Sequence, residues 1–217
     1  MTPRAAIFDL WGTLVTYDHE RWQRALTSIA ELLGVPPEEF EREWKRDYHR
    51  RLVSDLQTSF ERVCRSLGVT RADAIEAGLS VRNEVQREMF VPREDAATTL
   101  RELRARGYLT GLITNCSSEA PALLGESSLA GLLDVEVFSC SAGLRKPDRA
   151  IYELAATQLD LDPGRCLFIG DGSDQELEGA RDAGMKAVLL RPGDTRPPDG
   201  WRGPEITRLA QVLTLVS

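Results

Sequence analysis

The chain has 217 residues, 42% hydrophobic and 28% charged, the proportions of one good-sized globular domain or of a core domain carrying a small insert. Lys and Arg number 27 against 34 Asp and Glu, and the net charge of −7 argues against a general nucleic-acid binder, which needs surplus cations to neutralise phosphates. No run of 18 apolar residues exists to span a membrane, the N-terminal apolar stretch is broken at Asp9 too soon for a signal peptide, and Cys64, Cys116, Cys140 and Cys166 form no CxxC pair, as expected of reduced thiols in a cytoplasmic protein rather than of a zinc site.

Residues 5–10 (AAIFDL) are the first short, continuous apolar run, the pattern of a central strand buried on both faces. From Val15 to Pro92 the strand signal vanishes and four amphipathic helical patterns follow. Trp22, Leu26, Ile29 and Leu33 line the first, which stops at Gly34; Phe40, Trp44, Tyr48 and Leu52 line the second, after Pro36-Pro37. Leu56, Phe60, Val63, Cys64 and Leu67 mark the third, which stops at Gly68, and Ala74, Ala77, Val81, Val85 and Met89 mark the fourth. Four helices of that length bury a core of their own, so residues 17–91 are expected to form an all-helical insert, with 1–16 and 92–217 making an α/β core. The core continues with a helix over 95–106 and strands at 109–114 and 135–138. A helix over 148–159, a strand at 166–170, a helix over 174–183 and a strand at 187–190 follow. The Pro/Gly-rich stretch 191–204 is expected to be an exposed loop before a short helix near 205–214. Strands alternating with helices imply βαβ crossovers and a doubly wound, Rossmann-like parallel sheet.

In such a sheet, ligands bind beyond the carboxyl ends of the strands. The residues there are Asp9-Leu10-Trp11-Gly12-Thr13 after the first strand and Thr114-Asn115-Cys116-Ser117-Ser118 after the second. Lys146-Pro147-Asp148 lies beyond the third, and Gly170-Asp171-Gly172-Ser173-Asp174-Gln175-Glu176 after the fourth. A strand-end carboxylate acts as a nucleophile when its charge is balanced and its target oriented. Acids from two strands suit Mg²⁺, a hard ion that prefers oxygen. Thr114 and Lys146 are donors for phosphate oxygens, and amides of the turn after Asp9 add to an anion cradle. Each piece alone has a plainer reading: a turn Asp, an N-cap Thr, a surface Lys, a Gly-flanked turn. The order of all four, each after its own strand, is the specific signal.

FDLWGTL (8–14), LITNCS (112–117), GLRKPDRAIYELA (143–155) and FIGDGSDQELEGARDAGM (168–185) together resemble the four motifs of the haloacid dehalogenase-like (HAD) hydrolase superfamily, in the branch with a helical cap inserted after the first strand. The resemblance spans roughly 5–190. It implies that Asp9 is a nucleophile forming an aspartyl-phosphate, and that Thr114, with the backbones of Leu10, Trp11 and Asn115, binds the phosphoryl group. It implies further that Lys146 neutralises Asp9, and that Mg²⁺ is held by Asp9, Asp171 and the Trp11 carbonyl. The cap would close over the site and select the substrate, a small phosphorylated metabolite.

Two positions depart from the pattern. The family's phosphatases carry a second Asp two residues after the nucleophile as general acid/base; here Trp11, with no proton to give, stands there. Such a loss typically costs about 10²–10⁴-fold. The family's dehalogenases carry an aromatic at this place, which opens a second reading, carbon–halogen hydrolysis on Asp9, although they lack the acid at the position of Asp171. A third reading is a binding or regulatory protein on the same scaffold. The second departure is Glu176 where Asp is usual, so the outer metal ligand is left between Asp174 and Glu176. His19 and His49 are expected on the surface, Trp22, Trp44 and Tyr48 in the helical core, Lys45 on a solvated face, and Cys116 as a packing residue. A monomer or homodimer fits equally.

Overall fold

The computed structural model describes residues 2–192 and 200–216. In chain order the elements begin with β1 (Ala5–Phe8), α1 (His19–Leu33), α2 (Pro37–Arg46), α3 (Tyr48–Arg51), α4 (Leu56–Ser66) and α5 (Ala72–Met89). They continue with α6 (Ala96–Ala105), β2 (Leu109–Thr114), α7 (Ala120–Gly125), β3 (Val135–Phe138), α8 (Ser139–Ala142) and α9 (Arg149–Gln158). Last come β4 (Cys166–Gly170), α10 (Glu176–Asp182), β5 (Lys186–Leu190), β6 (Glu205–Ile206) and α11 (Val212–Leu215). The strands form one parallel sheet in the order β3-β2-β1-β4-β5-β6. The chain order reverses at β1, so the carboxyl ends of β1 and β4 flank the crevice where doubly wound sheets bind ligands.

The five apolar runs become β1 to β5, and the inner four, β1, β2, β4 and β5, are covered on both faces of the sheet. Phe8, Leu112 and Ile169 pack on one face with Leu100 and Leu103 of α6; Ile7, Ile113 and Phe168 pack on the other with Ile151, Tyr152 and Leu177. Two expectations are corrected. The first strand stops at Phe8 because Leu10 turns the chain, its carbonyl accepting from the Thr13 and Val15 amides at 3.2 and 2.9 Å. A helix was expected near 205–214, but Glu205–Ile206 joins the sheet edge and only 209–215 is helical. Of the expected loop 191–204, residues 193–199 lie outside the described residues.

Between β1 and α6, helices α1 to α5 enclose a separate apolar cluster that includes Leu26, Ile29, Phe40, Trp44, Phe60, Val63 and Cys64. Each fully buried side chain of this size contributes roughly 1.5–3 kcal/mol. The second helical pattern is broken at Asp47, dividing α2 from α3. The fourth shows a rotated face: α5 buries Ala74, Gly78, Arg82, Gln86 and Met89, not the expected Ala77, Val81 and Val85. The reason is Gly78. A Cβ there would lie 3.1 Å from Phe60 and 3.4 Å from Ile29, so glycine lets α5 press closely onto α1 and α4 without displacing either ring or branch. That contact turns Arg82 and Gln86 inward. Thr16 donates its amide to Val91 and Arg93 to Leu14, each at 2.9 Å, where the chain leaves and rejoins the sheet.

Candidate active site

β1 delivers Asp9 to the sheet edge. Ile169 of β4 accepts the Asp9 amide at 2.9 Å, so pairing of the two central strands fixes where the carboxylate stands. Asp9 is 3% exposed, and its Oδ1 accepts from Lys146 Nζ at 2.5 Å. Its Oδ2 is buried with no hydrogen-bond partner. Lys146 is 2% exposed and also donates to Glu176, which is fully buried at the start of α10. The Glu176 Oε1 accepts the Gly172 amide at 3.1 Å, and a Cβ on Gly170 would fall 2.0 Å from that oxygen, so the bare backbone of Gly170 makes room for the longer acid. Asp171 accepts the Ser173 amide at 2.9 Å. Its other oxygen lies where a Cβ on Gly12 would be, 2.1 Å away, and Gly12 has a φ of +80°. Glycine at 12 is therefore required twice, for conformation and for space.

Asp9, Asp171 and Glu176 each offer a carboxylate oxygen within 4.8 Å of the others. Three carboxylates face one ammonium. Burial pushes the Asp9 carboxyl up to about 6, with Lys146 opposing and Asp171 adding to the rise. Burial likewise raises Glu176 well above the usual carboxylate range, reinforced by Asp9. For Lys146, burial acts to lower the ammonium, but Asp9 and Glu176 outweigh it and hold the group above its ordinary value. The deficit of positive charge, the open Oδ2 of Asp9 and the all-oxygen donor set fit a hard divalent cation such as Mg²⁺.

The remaining expected residues fall as follows. Thr114, at the end of β2, is fully buried. Asn115 faces the β3–α9 loop: its Oδ1 accepts the Lys146 amide at 2.8 Å and its Nδ2 donates to the Lys146 carbonyl at 3.1 Å, holding the lysine's backbone in place. Asp174 turns away from the acidic cluster, accepting from Tyr48 Oη at 2.5 Å and from Asn115 Nδ2 at 2.7 Å. Of the two outer acids, Glu176 is the one that stands with Asp9 and Asp171. Trp11 packs edge-on against Phe90, ring centroids 5.4 Å apart. Arg93 donates to the carbonyls of Gly12 and Thr13 at 2.6 and 2.8 Å, bracing the turn that carries Trp11.

A cavity of about 560 Å³ lies between this sheet edge and the helices, walled by Asp9, Trp11, Lys146 and Asp171 below and by residues of α1, α2, α3 and α5 above. Tyr48 was expected in the helical core; instead it is half-buried in this wall, because the break at Asp47 swings it toward Asp174. Trp22 and Trp44 belong to both, one side in the apolar cluster and the other on the cavity. His19 and Lys45 also reach its rim, Lys45 paired with Glu41 at 2.6 Å, whereas His49 is exposed against Arg145. Cys116 is buried, with its Sγ 3.7 Å from that of Cys140. The residues missed from sequence are Arg51 and Arg82, both buried and both on the cavity wall. Arg82 sits i+4 from Gly78, the one available signal that it shares the inward face.

These motifs meet at one edge of the sheet, around the buried carboxylate of Asp9. The haloacid dehalogenase-like hydrolase family model matches residues 3–184, and the chain belongs to that family. It is 34% identical to phosphatase MT3486 of Mycobacterium tuberculosis (strain CDC 1551 / Oshkosh) over 203 residues, covering 90% of this chain and 91% of that one. It is 27% identical to (S)-2-haloacid dehalogenase 4A of Burkholderia cepacia over 202 residues, 90% and 86% of the two chains. In fold it resembles the 2-haloacid dehalogenase of Pseudomonas syringae pv. Tomato DC3000, with a TM-score of 0.74 at 23% identity over 99% and 98% of the two chains. No helix among the described residues is long and apolar enough to cross a membrane.

Proposed function

We propose that the protein is a Mg²⁺-dependent phosphatase acting on a small phosphorylated metabolite, with helices α1 to α5 as the cap over its site. The observation that carries this reading is the convergence of Asp171 and Glu176 on Asp9 and Lys146, which leaves Asp9 Oδ2 without a partner. Asp9 attacks phosphorus, the bond to the leaving oxygen breaks, and the aspartyl-phosphate is then hydrolysed by water. Lys146 keeps Asp9 ionised and balances the transferred group. The Thr114 hydroxyl and the backbone amides of Leu10, Trp11 and Asn115 hold the phosphoryl oxygens. Mg²⁺ held by Asp9, Asp171 and the Trp11 carbonyl, with Glu176 behind, would supply positive charge for the equatorial oxygens. Trp11 gives the leaving group no proton, so acyl and aryl phosphates are better substrates than alkyl phosphates. Phosphate release from p-nitrophenyl phosphate is expected with Mg²⁺ and lost with EDTA or in Asp9→Asn. Activity indifferent to EDTA, or kept in that variant, rejects the mechanism.

Trp11 favours one other reading, displacement of halide from a 2-haloacid by Asp9. The negative charge of Asp171 near a substrate carboxylate opposes it. Metal-independent chloride release from 2-chloropropionate would establish it in place of the phosphatase.

A further inference from the structure

The cavity roof contains a positive charge that the phosphoryl chemistry does not use. Arg51 is 6% exposed, yet it makes no ion pair among the described residues. Its guanidinium lies 3.7 Å above the Trp44 ring, and one of its five N–H groups donates to the Trp44 carbonyl at 2.7 Å. The neighbouring acid Asp47 is taken by Arg62, at 2.7 and 3.0 Å. Arg82 stands beside it, 3% exposed, paired with Glu119 at 2.5 Å and donating to Ser117 at 3.1 Å, with its Nε buried and unpartnered. Arg51, Arg82 and Glu119 together leave a net charge of +1 among largely buried groups on the cavity wall. That is costly for an empty pocket. Burial, and after it the Arg82 charge, already lower Arg51 to about 10.

We propose that Arg51, with Arg82 beside it, is a subsite for a carboxylate on the substrate, so that the molecule hydrolysed is a phosphate monoester of a carboxylic acid. This rests on the phosphatase reading and adds the chemical class. The surplus is a single charge, which matches a monoanion rather than a second phosphate dianion. A guanidinium 3.7 Å above an indole, with one N–H group on the Trp44 carbonyl, keeps further N–H groups for a ligand, and such a fork takes a planar carboxylate with two bonds. Trp22 and Leu52 on the same wall offer apolar surface for the carbon frame between the two anions.

The test compares para-carboxyphenyl phosphate with para-carbamoylphenyl phosphate, which share shape and differ in charge. The wild-type protein is expected to favour the carboxy ester by about tenfold or more in kcat/KM, the worth of one charge-assisted contact. That ratio falls toward one in Arg51→Gln and is partly kept in Arg51→Lys, which retains charge without the fork. Calorimetric binding of both esters to Asp9→Asn reads the subsite without turnover, and tighter binding of the carboxy ester is expected. Equal affinities, or a ratio near one in the wild type, overturn the carboxylate subsite while leaving a phosphatase. Hydrolysis of neither ester overturns the phosphatase reading, and the binding preference then decides the subsite alone.

Discussion

A buried carboxylate with one free oxygen carries a cost that shows in stability. The Asp9 carboxyl is pushed from 3.8 to about 6 by burial, so the fold prefers it neutral. Glu176 shifts in the same direction. For an acid raised in the folded state, the stabilising contribution is complete below the unfolded value near 4 and is lost as pH rises through about 6. Lys146, raised rather than lowered, keeps its contribution throughout that range. In metal-free protein, Asp9→Asn is therefore expected to raise Tm at pH 8 and to leave it unchanged at pH 4. The gain at the higher pH is on the order of 3 kcal/mol at most. Differential scanning fluorimetry in EDTA checks it. Mg²⁺ should raise the wild-type Tm well above any effect on the variant, because the ion binds only the folded site. A variant less stable than wild type at pH 8 would show that the carboxylate is not strained. At this scale the meeting of Asp9, Asp171 and Lys146 at one sheet edge was legible because each lies beyond its own strand. The choice of Glu176 over Asp174 was not, since both follow β4 and only the three-dimensional partners Tyr48 and Asn115 draw Asp174 aside.

The first five strands were legible at the scale of elements as short apolar runs near Ala5–Phe8, Leu109–Thr114, Val135–Phe138, Cys166–Gly170 and Lys186–Leu190, because the inner four are buried on both faces and need no alternation, while β3 lies at the sheet edge. β6 was not, since two residues beyond a Pro/Gly-rich stretch carry no periodicity. α5 misled for a different reason: its apolar positions Val81 and Val85 lie beside, not on, the buried line, which carries Arg82 and Gln86 toward the cavity. A helix that buries charge toward a cavity breaks the rule that the inward face is apolar. Between the helices and the sheet, one contact stands out. Tyr48 donates to Asp174, and burial followed by the Asp174 charge holds its phenol above the usual range, so it stays a donor at every working pH. Tyr48→Phe removes that tie and leaves the acidic cluster intact. A several-fold rise in KM for p-nitrophenyl phosphate is expected, with kcat changed less than twofold, on the scale of one hydrogen bond of roughly 1 kcal/mol. A fall in kcat alone would place Tyr48 in the chemical step instead.

The whole molecule has apolar clusters on both faces of the sheet and a third among α1 to α5, and the chain passes between sheet and helices only at Leu14–Thr16 and Val91–Arg93. Beyond those crossings, the hydrogen bonds and ion pairs between the two parts join Tyr48 with Asp174, His49 with Arg145, Arg82 with Ser117 and Glu119, Arg87 with Glu126, and Ser118 with the Leu56 amide and Asp55. These contacts are few and polar, and several are exposed, where an ion pair contributes about 0–1 kcal/mol. The helices are thus more firmly joined to one another than to the sheet, which is the condition for movement as a body. Hydrogen exchange tests this directly. With Mg²⁺ and orthovanadate, a mimic of the transferred phosphoryl group, protection is expected to rise at 14–16, 48–56, 91–93 and 115–119. Amides inside the helical cluster, such as Ile29 and Phe60, should change little, because closing the cavity does not alter what packs around them. Protection rising evenly through α1 to α5 would mean that the ligand orders the helices themselves, and the picture of a preformed body rocking on two short crossings would fail.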